Sequence, residues 1–338
     1  MENKHTNYDA NKKKNIIFLL ALFFILLFSS LASLKFGTAK FSLSDLFMGL
    51  LGKAQDDKIN LIMINNRLPR ILTSIVAGAG LGLTGAILQV ILQNNLASAS
   101  TIGVSQGASF GAALAIVVFN LSGAFQIPLL SFLGSIIVAS FILALSKFNN
   151  IKAQGIVLAG VAISAMLAGA TTLIQYFADE VQLASLVYWT FGDLGSTSFK
   201  DILIILLVVV FISIYAIFHR WDYNALLAGD NTATSLGLNV DRLVIENTVL
   251  CCLAASTIVS NIGLVNFIGL IAPHIVKMFV GNNYIYVIPG SILGGSIILV
   301  LSDLVSRMVL SPVILPIGAI TSFLGGPIFL YLLLKERR

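Results

Sequence analysis

Charge is what this sequence has least of. Only 10% of its 338 residues are Asp, Glu, Lys or Arg, whereas soluble domains carry roughly 25%. At 57% hydrophobic residues and a mean hydropathy of +0.96, the chain cannot bury its apolar side chains inside one soluble core. Strands of alternating hydrophobicity, the mark of an outer-membrane barrel, are also missing, so a membrane must be crossed by helices. Cysteine is nearly absent. Cys251 and Cys252 are adjacent in an apolar run and cannot form CxxC; they read as small packing residues. The three histidines, His5, His219 and His274, do not cluster with carboxylates at metal-ligand spacing. No GxxxxGK[ST] phosphate loop occurs, nor any Ser-His-Asp or Cys-His grouping. The sequence therefore assigns no catalytic chemistry, no metal and no cofactor.

What is present is a series of apolar runs of the roughly 20 residues that span a bilayer. They predict spanning helices at 16–34, 71–92, 103–121, 127–145, 155–177, 202–218, 243–262, 286–309 and 316–334, with a half-length helix at 263–273 (GLVNFIGLIAP). The expected fold is a single all-α polytopic domain over 1–338 with ten transmembrane helices. Residues 1–15 form a polar tail ending in Lys12, Lys13 and Lys14. The first apolar run is longer than the core of a usual signal peptide and predicts a retained anchor. The stretch 35–66 is polar and weakly amphipathic, with Leu43, Leu46, Phe47 and Leu50 at helical spacing, and 179–200 reads as an acidic, aromatic loop.

Small residues recur at four-residue spacing, Gly78 with Gly82 and Gly107 with Gly111, which lets helix backbones pack closely in lipid. The run 155–177 carries Gly160, Ser164, Ala168 and Thr171 on one face. That face fits tight packing and a pore lining equally well.

Between two apolar runs lies a polar island, RWDYNALLAGDNTATSLGLNVDR, residues 220–242. Leu226 and Leu227 end a short apolar turn that Gly229 breaks. Asp230 is placed to cap a second short helix, and Gly237 sits where that helix would stop in the left-handed conformation. The pattern predicts two short helices joined by a glycine, a compact knob at the membrane surface that docks a partner; a solvated linker is the plainer alternative.

Lysines and arginines set the orientation. Placing the N-terminal lysines in the cytoplasm puts most cations there, and both termini with them. The exceptions gather before and at Arg67-Leu68-Pro69-Arg70. An aspartate in mid-helix costs about 2.5–3.5 kcal/mol on insertion scales. Asp303 and Arg307 are four apart on one helix face, and read either as a self-satisfied pair or with Arg307 reaching outward to an acidic partner. His274, after Pro273, reads as a capping or packing residue at a helix boundary.

Several stretches together resemble the FecCD family, the permeases of type II ABC importers for vitamin B12, haem and ferric siderophores. They are Arg67-Leu68-Pro69-Arg70; Gly85-Ala86-Ile87-Leu88-Gln89; Asn94 with Leu96-Ala97; residues 103–108, GVSQGA; Gly229-Asp230 with residues 235–240, SLGLNV; Gly263 with residues 267–274, FIGLIAPH; Asp303 with Arg307; and Leu315-Pro316-Ile317-Gly318. They run in family order from about residue 60 to the C-terminus. The resemblance implies a permease dimer, homo- or heteromeric, two cytoplasmic ATPase subunits, and an external substrate-binding protein at the cell membrane of a bacterium or archaeon.

It also implies roles. Leu226, Gly229, Asp230, Ala233, Leu236 and Gly237, within 219–242, would couple to the ATPase. Arg67, Arg70 and Arg307 would face outward and pair with acids of the binding protein. Asn94 and Leu96 would form one cytoplasmic gate, with Ala153 and Gln154 at the other, and the helix carrying Gly160, Ser164, Ala168 and Thr171 would line the pathway. Asn95 and Ala99 stand where the family pattern has prolines, and Ala153 lacks the hydroxyl often found there. The expected cargo is a ferric siderophore, with haem or a corrinoid as alternatives. An ion-driven transporter is the competing class, but it calls for intramembrane acids, of which only Asp303 qualifies.

Overall fold

The computed structural model describes residues 2–37, 48–49, 51–54, 56–148 and 153–336; Leu43, Leu46, Phe47 and Leu50 lie outside the described residues. The elements are α1 (Glu2–Lys35), α2 (Asp57–Ile62), a π-helical turn (Met63–Arg67), α3 (Leu68–Ile91), α4 (Val104–Ala113) continued by a second π turn (Leu114–Val118), α5 (Gln126–Phe148), α6 (Ala153–Phe177), α7 (Glu180–Phe191), α8 (Phe199–Phe218), α9 (Arg220–Leu226), α10 (Asp230–Ser235), α11 (Val240–Ile262), α12 (Ile268–Val280), α13 (Tyr284–Met308) and α14 (Ile317–Glu336). No strand occurs among the described residues. Seven stretches are long and apolar enough to cross a membrane, and the shorter apolar helices Val104–Val118, Ile268–Val280 and Ile317–Tyr331 add to them. Each of the ten expected runs overlaps one of these helices, three of them meeting only a shorter one.

Four boundaries differ from expectation. The tail expected at 1–15 is the first part of α1. The second span starts far earlier: α2, the π turn and α3 run on from Asp57, so Arg67 and Arg70 lie on helix and not in a loop. The aromatic loop contains α7, started by a capping box in which Asp179 accepts from the Gln182 backbone and Gln182 accepts in return.

The half-length helix begins at Ile268 and passes through Pro273 instead of stopping there. Proline removes the N–H that would bond the carbonyl four residues back, here that of Gly269. The Gln89 side chain fills the gap, donating to the Gly269 and Leu270 carbonyls, each at 3.4 Å. Pro273 is thereby tolerated in mid-helix, and His274 is a buried interior residue.

α3 is the centre of the bundle and is buried along nearly its whole length. Its glycines meet other backbones directly. A Cβ on Gly78 would lie 2.5 Å from the Gly295 carbonyl oxygen of α13; Gly82 abuts Ser291 and Gly295, and Gly85 abuts Gly269 of α12. In lipid, where apolar side chains gain little by leaving their surroundings, such close packing is the main attraction between helices. Gly107 and Gly111 of α4 meet Gly134 and Leu130 of α5 in the same way. Cys251 and Cys252 are buried, unpaired members of the cluster formed with Leu83, Ile87 and Val287.

Candidate functional site

The knob forms as two short helices, α9 and α10, joined through Gly229 at φ 99° and ψ 154°. α10 ends in a Schellman motif: Leu238 N donates to Ala233 O at 3.1 Å and Gly237 N to Thr234 O at 2.9 Å, with Gly237 at φ 88°. Asp230 differs from expectation. It is the first helical residue rather than the cap, and its carboxylate accepts from Gln93 Nε2 of the α3 terminus at 2.6 Å. A charge there still complements the helix N-terminus.

Leu226 and Ala233 are buried, whereas Leu236 is 69% exposed at the tip and Leu227 and Trp221 are exposed beside it. The knob stands on α11 and α13. Buried Tyr223 donates to Asn247 Oδ1 at 2.6 Å, and its burial pushes the phenol pKa far up, so it stays a donor. Asn224 donates to Asn283 Oδ1 at 3.1 Å and accepts from the Tyr284 backbone at 2.8 Å.

The turn expected as a cytoplasmic gate follows α3. Gln93 takes φ 46°. Asn94 Oδ1 accepts from Leu96 N at 2.8 Å, and Thr101 Oγ1 accepts from Ser98 N at 2.8 Å and donates to Leu96 O at 3.2 Å. These side-chain bonds hold the turn that contains Asn95 and Ala99. Leu96 is 44% exposed. Ala153 and Gln154 open α6; their side chains lie outside the described residues. Between this turn and the knob is a cavity of about 510 Å³, lined among others by Gln89, Gln93, Leu226, Gly229, His274 and Lys277. Lys277 Nζ donates to Gln89 Oε1 at 2.8 Å.

Of the four residues on the small face of α6, Gly160 and Thr171 are buried, Ser164 is half-buried and Ala168 is exposed. A Cβ on Gly160 would come 2.6 Å from the Ile102 Cα, so this face packs within the chain at Gly160, while Ala168 stays open. The opposite side of α6, with Ala162, Ala165, Gly169 and Thr172 between Leu158, Met166 and Tyr176, is exposed. Composition gave no sign of this, because both sides carry small residues.

The arginines correct an expectation. Arg67, Arg70 and Arg307 are 4%, 4% and 5% exposed, and Asp303 is fully buried. Asp303 accepts from Arg70 Nε at 2.6 Å through one oxygen and from Arg307 Nε at 2.9 Å through the other. Arg70 also reaches Asp193 at 3.4 Å. Arg307 donates to the Ser33 and Phe36 carbonyls at 3.3 Å, and Arg67 to those of Leu34 and Lys35. The C-terminal carbonyls of a helix lack partners of their own and attract cations; here two guanidiniums from other helices supply both. Arg67 and Arg307 thus clamp the end of α1 to the π turn before α3 and to α13, while Arg70 joins α3 to α13 through Asp303, and none of the three projects outward. Arg70 and Asp303 are 233 residues apart, and only the i,i+4 pairing with Arg307 had a local signal.

A profile of the FecCD transport family matches residues 25–335. A Methanocaldococcus jannaschii protein described as an ABC transporter permease is 43% identical over 339 residues, covering 97% of each chain. A hemin transport system permease of Yersinia pestis is 32% identical over 95% of each chain, and a Fe(3+)-citrate import system permease of Bacillus subtilis is 33% identical over 97% of each. Among solved structures, an inward-facing conformation described as that of a metal-chelate type ABC transporter superposes with a TM-score of 0.83 at 28% identity. That alignment covers 94% of this chain and 98% of the other.

Proposed function

Because this chain belongs to the FecCD transport family, we propose that it is the membrane-spanning subunit of an ATP-driven importer for a metal chelate, in the first place an iron(III)–siderophore, with haem or a corrinoid as the alternative cargo. It crosses the cell membrane ten times with both termini in the cytoplasm, pairs with a second permease subunit, and works with two cytoplasmic ATPase subunits and an external binding protein. The energy source lies in those partners, and this chain's part is non-catalytic.

The observation that carries the reading is the knob. Its tip presents Leu236 to solvent at 69% exposure on a helix closed by a Schellman motif. An exposed apolar side chain gains by burial in a protein cleft, and a preformed element lowers the ordering cost of docking it there. Leu226, Gly229, Asp230, Ala233, Leu236 and Gly237 accordingly couple the chain to the ATPase, while Asn94 and Leu96, with Ala153 and Gln154, close the pathway on the same side. Arg67, Arg70 and Arg307 serve binding-protein docking indirectly, by fixing the outer surface around Gly37 and Asp193. Relatives of this chain are named for hemin and for Fe(3+)-citrate, which supports an iron chelate as cargo. The double pairing of Asp303 speaks against a proton relay.

The test is reconstitution with the neighbouring ATPase and binding protein in liposomes. A binding protein loaded with ferric siderophore should stimulate ATP hydrolysis and uptake; haem and cobalamin are run in parallel to name the cargo. Uptake that follows an imposed ion gradient and ignores ATP would overturn the reading.

A further inference from the structure

One side-chain contact joins the knob to the gate turn. Gln93 Nε2 donates to Asp230 Oδ1 at 2.6 Å. Both residues are exposed, so the bond does not serve to bury a polar group. Gln93 occupies a junction. Its N–H donates to Val90 O at 3.2 Å as α3 ends, and the next residue, Asn94, donates to Gln89 O at 3.0 Å and accepts from Leu96. Its own φ of 46° is a conformation that a side chain other than Gly adopts at a cost.

The two neighbours of Gln93 differ in how firmly they are held. On one side Gln89 is buried and fixed by Lys277 and by the Gly269 and Leu270 carbonyls. On the other, Asp230 is exposed at the start of α10, which joins α9 through Gly229 in open space and is seated by the buried Ala233.

We propose that Gln93 is a positioning residue that carries displacement of the knob to the gate turn, through its bond to Asp230. The inference rests on the importer reading above. When α10 is pushed by a bound ATPase, Asp230 moves with it about the Gly229 pivot. Gln93 is drawn along, while Gln89 behind it stays put. The backbone between them, already left-handed at Gln93, takes up the change, and the turn held by Asn94 shifts Leu96. A docked ATPase also excludes water from the knob, which strengthens this charge-assisted bond when it is needed.

The experiment uses the full permease–ATPase complex in liposomes, reading uptake per ATP hydrolysed. Gln93→Ala should lower that ratio at least about fivefold, the lower end of typical coupling between sites, while the complex still co-purifies. Gln93→Glu places like charge against Asp230 and should lower it at least as far; Gln93→Lys restores an attractive partner and should recover most of the wild-type ratio. A merely structural role would not sort the variants by charge. Wild-type uptake per ATP in Gln93→Ala, or Gln93→Lys as poor as Gln93→Glu, would overturn the proposal. A wild-type complex with no ATP-driven uptake at all would instead sink the importer reading, before any variant is compared.

Discussion

Asp303 offers the sharpest test of how the ion cluster beside the end of α1 is held together. Its carboxylate is fully buried and accepts from Arg70 at 2.6 Å and Arg307 at 2.9 Å. Asp303→Ala leaves two guanidiniums facing each other without the anion between them. Removing one partner from a buried ion pair costs about 3–5 kcal/mol; here two cations lose their shared carboxylate, Arg70 keeping the more exposed Asp193 at 3.4 Å and Arg307 its carbonyl bonds, so the cost should fall within that range.

Removing Asp303 together with both guanidiniums that it pairs should do less harm. Apolar replacement of a whole buried ion cluster is often neutral or stabilising. The triple change Asp303→Leu, Arg70→Met, Arg307→Met would mainly forfeit the Arg307 bonds to the α1 terminus, at about 1–2 kcal/mol. The assay is equilibrium unfolding of the detergent-solubilised chain by SDS titration, followed by the fluorescence of Trp189 and Trp221. Asp303→Ala within about 1 kcal/mol of wild type, or a triple variant less stable than Asp303→Ala, would refute the clamp.

Two further outcomes are expected. Gly82→Val forces a branched side chain against the Ser291 and Gly295 backbone, and should cost at least the roughly 1–3 kcal/mol typical of overpacking in the same titration; unchanged stability would mean that α3 and α13 are not in direct contact. Leu236→Asp changes a largely exposed tip, so stability should stay within about 0.5 kcal/mol while ATPase co-purification is lost. Retention of the ATPase by that variant would remove the tip from the docking surface.

The parts legible in the sequence were those with local causes. The knob could be read because helix stops are local: Gly237 supplies the left-handed residue that its Schellman motif requires. The same logic lay open for α7, whose Asp179 and Gln182 make a capping box; hydropathy hid it, since α7 sits between two longer apolar runs. Pro273 looked like a helix end because its rescue comes from Gln89, 180 residues away from Gly269. The arginines looked outward-facing for a similar reason. Charge counts place a cation on one side of a membrane but say nothing of a buried carboxylate or of an orphaned helix terminus waiting there. Asp230 was placed at the correct helix end, yet its partner Gln93 belongs to another part of the chain.

The glycine contacts along α3 have a mechanical consequence. Where side chains separate two helices, a change of rotamer lets one slide on the other. Between Gly78, Gly82 and Gly85 and the backbones of Gly295, Ser291 and Gly269 no such layer exists, so sliding would drive main chain into main chain. α3, α12 and α13 must therefore travel as one rigid body, and the guanidinium clamp makes the end of α1 a passenger on it. Any alternation between open and closed states has to take place at the boundary of that body, at side-chain contacts with the remaining helices and at the turn that follows Gln93.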